Sequence, residues 1–110
     1  MKNEYGALLD VHGYSSSIIQ DDMTCCYLCH RRDTKLDRHE VWGASNRSKS
    51  KRYGLWVLLC HDSCHLGTSG VHYNAEVMEQ LHREGQIAAM EEYGLSTEDF
   101  IKKFGKNYLE

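Results

Sequence analysis

Apolar positions along this chain fall into three kinds of pattern. Residues 36–42, LDRHEVW, alternate in polarity and end in Val41 and Trp42, which predicts a strand. Residues 55–60, LWVLLC, form a continuous apolar run of strand length, which predicts a second strand. After Asn74, residues Met78, Leu81, Gly85 and Ala88 recur at spacings of three, four and three, tracing one face of a helix that Gly94 ends. Asn74 is an N-cap type, and Glu76 in the first turn suits the helix dipole. Ser96, with Asp99 three residues on, resembles a capping box and opens a short helix with Phe100, Ile101 and Phe104 on its apolar side. The segment between the strands, GASNRSKSKRYG, is polar, basic and bounded by Gly43 and Gly54, as a long loop or a short exposed helix would be. Two strands so connected predict a β-hairpin. Upstream, a short helix over residues 4–11 and a turn or flexible lead-in at GYSSSI are expected, and GTSG at residues 67–70 reads as a loop. The predicted class is small α+β, with residues 1–24 as a lead-in and residues 25–110 as the domain.

Composition narrows this picture only slightly. A chain of 110 residues makes one domain with a modest core. No stretch approaches twenty apolar residues, so no membrane span is expected. The opening decapeptide, MKNEYGALLD, lacks the apolar run of a signal peptide, so a cytoplasmic location is expected, where thiols stay reduced. Net charge is −3, yet the charges are segregated. Residues 31–52 carry Arg31, Arg32, Lys35, Arg38, Arg47, Lys49, Lys51 and Arg52 against Asp33, Asp37 and Glu40, whereas residues 76–99 carry seven carboxylates and only Arg83. One face can therefore meet phosphate while another stays acidic, with Arg47, Lys49, Lys51 and Arg52 as the nucleic-acid candidates.

The five cysteines add the clearest chemistry. Cys26 and Cys29 stand two residues apart, and Cys60 and Cys64 three apart. Zinc takes four N or S ligands tetrahedrally, and two ligands on one tight turn cost little entropy to organise. Cys25 competes with Cys26 for the first position, and His61 can replace Cys60 or Cys64. A structural Zn2+ held by Cys26, Cys29, Cys60 and Cys64 is the expectation. His39, His65 and His72 are left over. They flank the knuckles and the basic segment, as the ligands of a second, catalytic cation with an open face would.

The ordered series of cysteine knuckle, strand with His39, basic connection, apolar strand and the closing CHDSCH resembles the HNH endonucleases. The stretches RHEV, SNR, YGLWV, GVH and FGKNYL look like small stand-alone HNH proteins of phages and prophages. The likeness runs from Cys25 to the end of the chain. It implies a ββα-metal core, a hairpin plus a helix, with zinc knuckles and C-terminal helices. It also implies hydrolysis of phosphodiester bonds of DNA with Mg2+, Mn2+ or another divalent cation. A histidine base would activate water, and the partners would be DNA and phage packaging proteins. In the family the first strand ends in a metal ligand followed by the base, and here that pair is His39 and Glu40. Either Glu40 is the base, or His39 is the base and the cation rests on His65 and His72. The family's middle Asn has no counterpart before the second strand, where Gly54 and Leu55 stand; Asn46 lies earlier and Asn74 later.

Overall fold

The computed structural model describes residues 1–67 and 70–109. Its architecture is a small mixed α/β domain built on one two-stranded antiparallel sheet. Strand β1 (Leu36–Glu40) pairs with β2 (Trp56–Cys60) in a register that sets Leu36 opposite Cys60, His39 opposite Val57 and Glu40 opposite Trp56. Between them lie a single 3-10 turn (Ala44–Asn46) and helix α1 (Arg47–Arg52). The basic connection is thus a short helix, anchored by Ser50, whose buried hydroxyl donates to the Trp42 carbonyl and accepts from the Trp42 amide. A wide turn (His61–His65) follows β2, and then come α2 (Ala75–Tyr93) and α3 (Thr97–Phe104). Of the loop expected at residues 67–70, Thr68 and Ser69 lie outside the described residues.

The helix caps follow the side-chain chemistry. Asn74 Oδ1 accepts from the amides of Glu76 and Val77 at the start of α2, and Gly94 closes that helix in the left-handed conformation at φ 65°. Ser96 and Asp99 form a reciprocal capping box on α3. The buried spine of α2 is Leu81, Gly85 and Ala89, with Gln86 beside it, so Ala89 rather than Ala88 faces the core. Gly85 sets that rotation. A Cβ there would stand 3.0 Å from Val41 Cγ1 and 3.1 Å from Trp42 Cη2, so any side chain at the crossing would push these neighbours back by a few tenths of an ångström.

Strand β2 is apolar throughout because both its faces and its outer edge are covered. One apolar cluster joins Val41, Trp42, Tyr53, Leu55, Ala89, Phe100 and Phe104; the other joins Cys26, Val57, Leu59, Cys60, Val71 and Leu81. The lead-in does the covering. The Trp56 indole donates to the Ser15 carbonyl at 2.8 Å, and Ser17 Oγ donates to the Trp56 carbonyl at 2.6 Å. Buried Gln20 accepts from the Leu58 amide while its own amide donates to the carbonyls of Asp22 and Cys25. The Tyr27 amide completes the edge by donating to the Leu58 carbonyl. GYSSSI is therefore pinned along the hairpin. At Gly54 (φ +73°) a Cβ would meet the Ser16 carbonyl at 2.2 Å, so only glycine allows this approach.

The helix expected over residues 4–11 does not form. Asn3 Oδ1 captures the amides of Tyr5 and Ala7, and Asp10 Oδ1 captures those of His12 and Tyr14. Side chains that satisfy the backbone locally compete with a helix ladder. A lone Lys2–Leu8 bridge and turns result. Among the described residues no helix is long and apolar enough to cross a membrane.

Candidate metal centres

The turn that follows β2 contributes to two groups of metal-ligating side chains. The first is Cys26, Cys29, Cys60 and Cys64, whose sulfurs all lie within 4.8 Å of one another. Each pair sits on a knuckle closed by the backbone: the Cys29 amide points at Cys26 Sγ at 3.5 Å, and the Cys64 amide at Cys60 Sγ at 3.3 Å. The His30 amide donates to the Cys26 carbonyl, and His30 itself takes φ 65° to end the turn. Cys29 and Cys60 sulfurs stand 3.6 Å apart. A tetrahedral site with metal–sulfur bonds of about 2.3 Å needs sulfurs about 3.8 Å apart, whereas a disulfide needs about 2.05 Å. The spacing matches a shared metal, and all five cysteines are free thiols. Cys26, not Cys25, joins the group; Cys25 is buried beside it with its sulfur toward the Asp22 carbonyl.

The electrostatics of the cluster also call for a cation. Burial pushes the Cys26 thiol up, but amides of Cys29, Cys60 and Leu28 outweigh it and bring it down to about 7. Burial pushes Cys64 well above the usual thiol range, and neighbouring thiols push it further. Cys29 is raised too, chiefly by burial. Four adjacent sulfurs ionise together only when a metal balances the charge.

The second group is His39, His65 and His72. His39 comes from β1, His65 ends the wide turn, and His72 lies in the approach to α2. Ring centroids stand 5.5 Å apart for His39–His65, 5.3 Å for His39–His72 and 4.9 Å for His65–His72. One nitrogen from each lies within 4.8 Å of the others, so some point is within about 2.8 Å of all three (4.8 Å divided by √3). Metal–nitrogen bonds are about 2.0–2.1 Å, so sub-ångström ring movements complete the contacts. His39 is buried and its Nε2 has no hydrogen-bond partner, which is the mark of a donor atom reserved for something else. Burial, then the charges of His65, His72 and His82, holds its imidazole down to about 4, so the ring is neutral at pH 7.

A cleft of about 660 Å3 opens over this triad, lined further by Trp42, Asn46, Arg47, Met78, His82 and Tyr108. Glu40 lines the cleft but lies outside the histidine group. Its carboxylate accepts from Arg47 Nε at 2.7 Å and from the Tyr14 hydroxyl at 3.1 Å. The four basic candidates all have partners within the molecule. Arg47 holds Glu40, Lys49 caps the Lys103 carbonyl, Lys51 sits over the Tyr14 ring, and Arg52 pairs with Glu4. Arg47 is the most open of the paired cations here, with 66% of its side chain exposed.

Sequence reasoning missed Asp37. Its Oδ2 lies 2.9 Å from His65 Nδ1 and 2.5 Å from His61 Nδ1, so His61 turns to Asp37 and stays out of the thiol cluster. Burial works against ionisation of Asp37, but the two imidazoles hold its carboxyl below the usual range. The signal was present as Asp37 two residues before His39 on one strand face and His61 four residues before His65. No protein-family model matches this chain, and neither a curated protein nor a solved structure does so.

Proposed function

We propose that the chain is a metal-dependent HNH-type endonuclease that hydrolyses phosphodiester bonds of DNA. The observation that carries this reading is the convergence of His39, His65 and His72 on the floor of an open cleft beside a closed four-thiol cluster. A closed S4 set suits a structural metal, and its softness favours Zn2+; an open face of imidazoles suits a working cation. A hairpin whose first strand and following turn both deliver histidines supports the ββα-metal interpretation. The likeness to phage and prophage HNH proteins makes phage DNA the expected substrate and packaging proteins the expected partners.

His39, His65 and His72 would hold a divalent cation, which would supply Lewis-acid stabilisation of charge on the phosphate and the leaving oxygen; three imidazoles suit Ni2+ better than Mg2+. His39 fits a ligand role better than a base role. It converges with His65 and His72, and its buried, unpartnered Nε2 is a ready donor atom. Glu40 then takes the role of base. It pairs with the exposed Arg47, and a phosphate that draws Arg47 away would free the carboxylate to accept a proton from water. One observation favours a second reading, a nucleic-acid-binding or protein-interaction module without cleavage: Glu40 is held by both Arg47 and Tyr14. Incubation of the purified chain with supercoiled plasmid and Mg2+, Mn2+ or Ni2+ separates the two. Nicking that EDTA abolishes supports the nuclease; plasmid binding without nicking under every cation supports the module.

A further inference from the structure

We propose that Asp37 is a positioning residue that fixes the His65 ring with Nε2 turned to the cation site and joins that site to the Cys60–Cys64 knuckle. The proposal rests on the cation reading of the histidine group. Asp37 and His39 are two residues apart on β1, so their side chains leave the same face of the strand. His65 reaches that face from the turn after β2 and meets Asp37 Oδ2 through Nδ1 at 2.9 Å. An ionised carboxylate only accepts hydrogen bonds, so Nδ1 of His65 must carry the hydrogen. In a neutral imidazole that leaves the lone pair on Nε2, the atom a cation can use. A free imidazole side chain in water favours the opposite arrangement, with hydrogen on Nε2. Asp37 therefore selects the tautomer as well as the orientation.

The same oxygen holds His61 Nδ1 at 2.5 Å. His61 and His65 are the two ends of one turn, and Cys64 lies within it. Cys60 begins it, accepting the Cys64 amide on its sulfur. The turn is thus fastened at two sulfurs on one side and at one carboxylate on the other. Asp37 is the only link from β1 side chains to both imidazoles of that turn among the described hydrogen bonds. A metal that shapes the knuckle consequently shapes the position of His65, and the cation site depends on it without sharing a ligand.

The zinc-loaded full chain is the material for the test. Long-range 1H–15N NMR at pH 8 reads the tautomer of His65 directly and needs no variant. The expected result is a protonated Nδ1 and a bare Nε2; a wild-type His65 with hydrogen on Nε2 overturns the proposal. Asp37→Ala is expected to relax His65 toward the Nε2–H form and to weaken Mn2+ binding roughly 10- to 100-fold, with zinc content unchanged. Asp37→Asn keeps the shape and one acceptor but loses the charge, and is expected to lose a smaller part of the affinity. Mn2+ affinity equal to wild type in both variants overturns the proposal. A wild-type chain that shows the expected tautomer but binds no Mn2+ overturns the cation reading, and with it the assigned purpose of Asp37.

Discussion

The four-thiol cluster is compatible with a structural metal, and a metal held there is expected to be required for folding. Cys26 and Cys60 are both at most 1% exposed and belong to the same apolar cluster as Val57, Leu59, Val71 and Leu81. The cluster also ties the knuckle at residues 26–29 to the end of β2, with Cys29 and Cys60 thirty-one positions apart in sequence. A structural zinc contributes an apparent ~10–16 kcal/mol at pH 7. A domain of this size has a net stability of ~5–15 kcal/mol. The metal term matches or exceeds the whole margin, so the stripped chain has no stable fold to retain. Proton linkage gives a second test: thiols must lose their protons to bind a metal, so the affinity falls as pH is lowered. Far-UV circular dichroism before and after a strong chelator, with Zn2+ or Co2+ titrated back at pH 6.5 and 7.5, measures both effects. Helical signal should vanish on chelation and return on titration. A metal-free chain with an unchanged, cooperative melt refutes the reasoning, and so does an affinity that does not vary with pH.

Other outcomes follow from single residues. Gly54→Ala forces a side chain into a left-handed position and against the Ser16 carbonyl, and should cost at least ~2 kcal/mol, or roughly 10 °C in Tm by calorimetry. Ser96→Ala removes the reciprocal cap of α3 and should cost about 1 kcal/mol in urea unfolding. His39 in the metal-free site takes a proton only near pH 4, whereas the unfolded chain takes one near 6.5, so stability is lost as pH falls through that window. At pH 5 the loss is about 2 kcal/mol, and His39→Gln should remove most of it in urea titrations compared at pH 7 and pH 5. Arg47→Ala should flatten the salt dependence of DNA binding by about one unit of slope, read from fluorescence anisotropy at several salt concentrations.

Local features were legible in the sequence, and long-range partners were not. The two cysteine pairs, the Asn74 cap and the Ser96–Asp99 box each depend on residues within four positions, where spacing alone fixes geometry. The apolar run of β2 told of burial, but not that the lead-in supplies one wall through Ser15, Ser17 and Gln20. The helix expected over residues 4–11 failed because Asn3 and Asp10 offered the backbone closer acceptors. Ala89 replaced Ala88 on the buried face because Gly85 packs on Val41 and Trp42, a tertiary choice that no periodicity within α2 contains. The pairing of Asp37 with His65 spans twenty-eight positions and two elements, so spacing hinted at it and the fold revealed it. The internal partners of the basic segment, Glu40 for Arg47, Glu4 for Arg52 and the Lys103 carbonyl for Lys49, were not legible because the last two lie about fifty positions away.

Cleavage kinetics of His39→Ala and His65→Ala test the central claim most directly. Supercoiled plasmid, Mn2+ and chains verified to hold their structural metal and helical signal are the conditions. The account predicts EDTA-sensitive nicking by the wild type and a loss of at least roughly a hundredfold in each variant, the size of effect seen when a group acting on transition-state charge is removed. Full cleavage in both variants, or no cleavage by a folded wild type under any divalent cation, contradicts it.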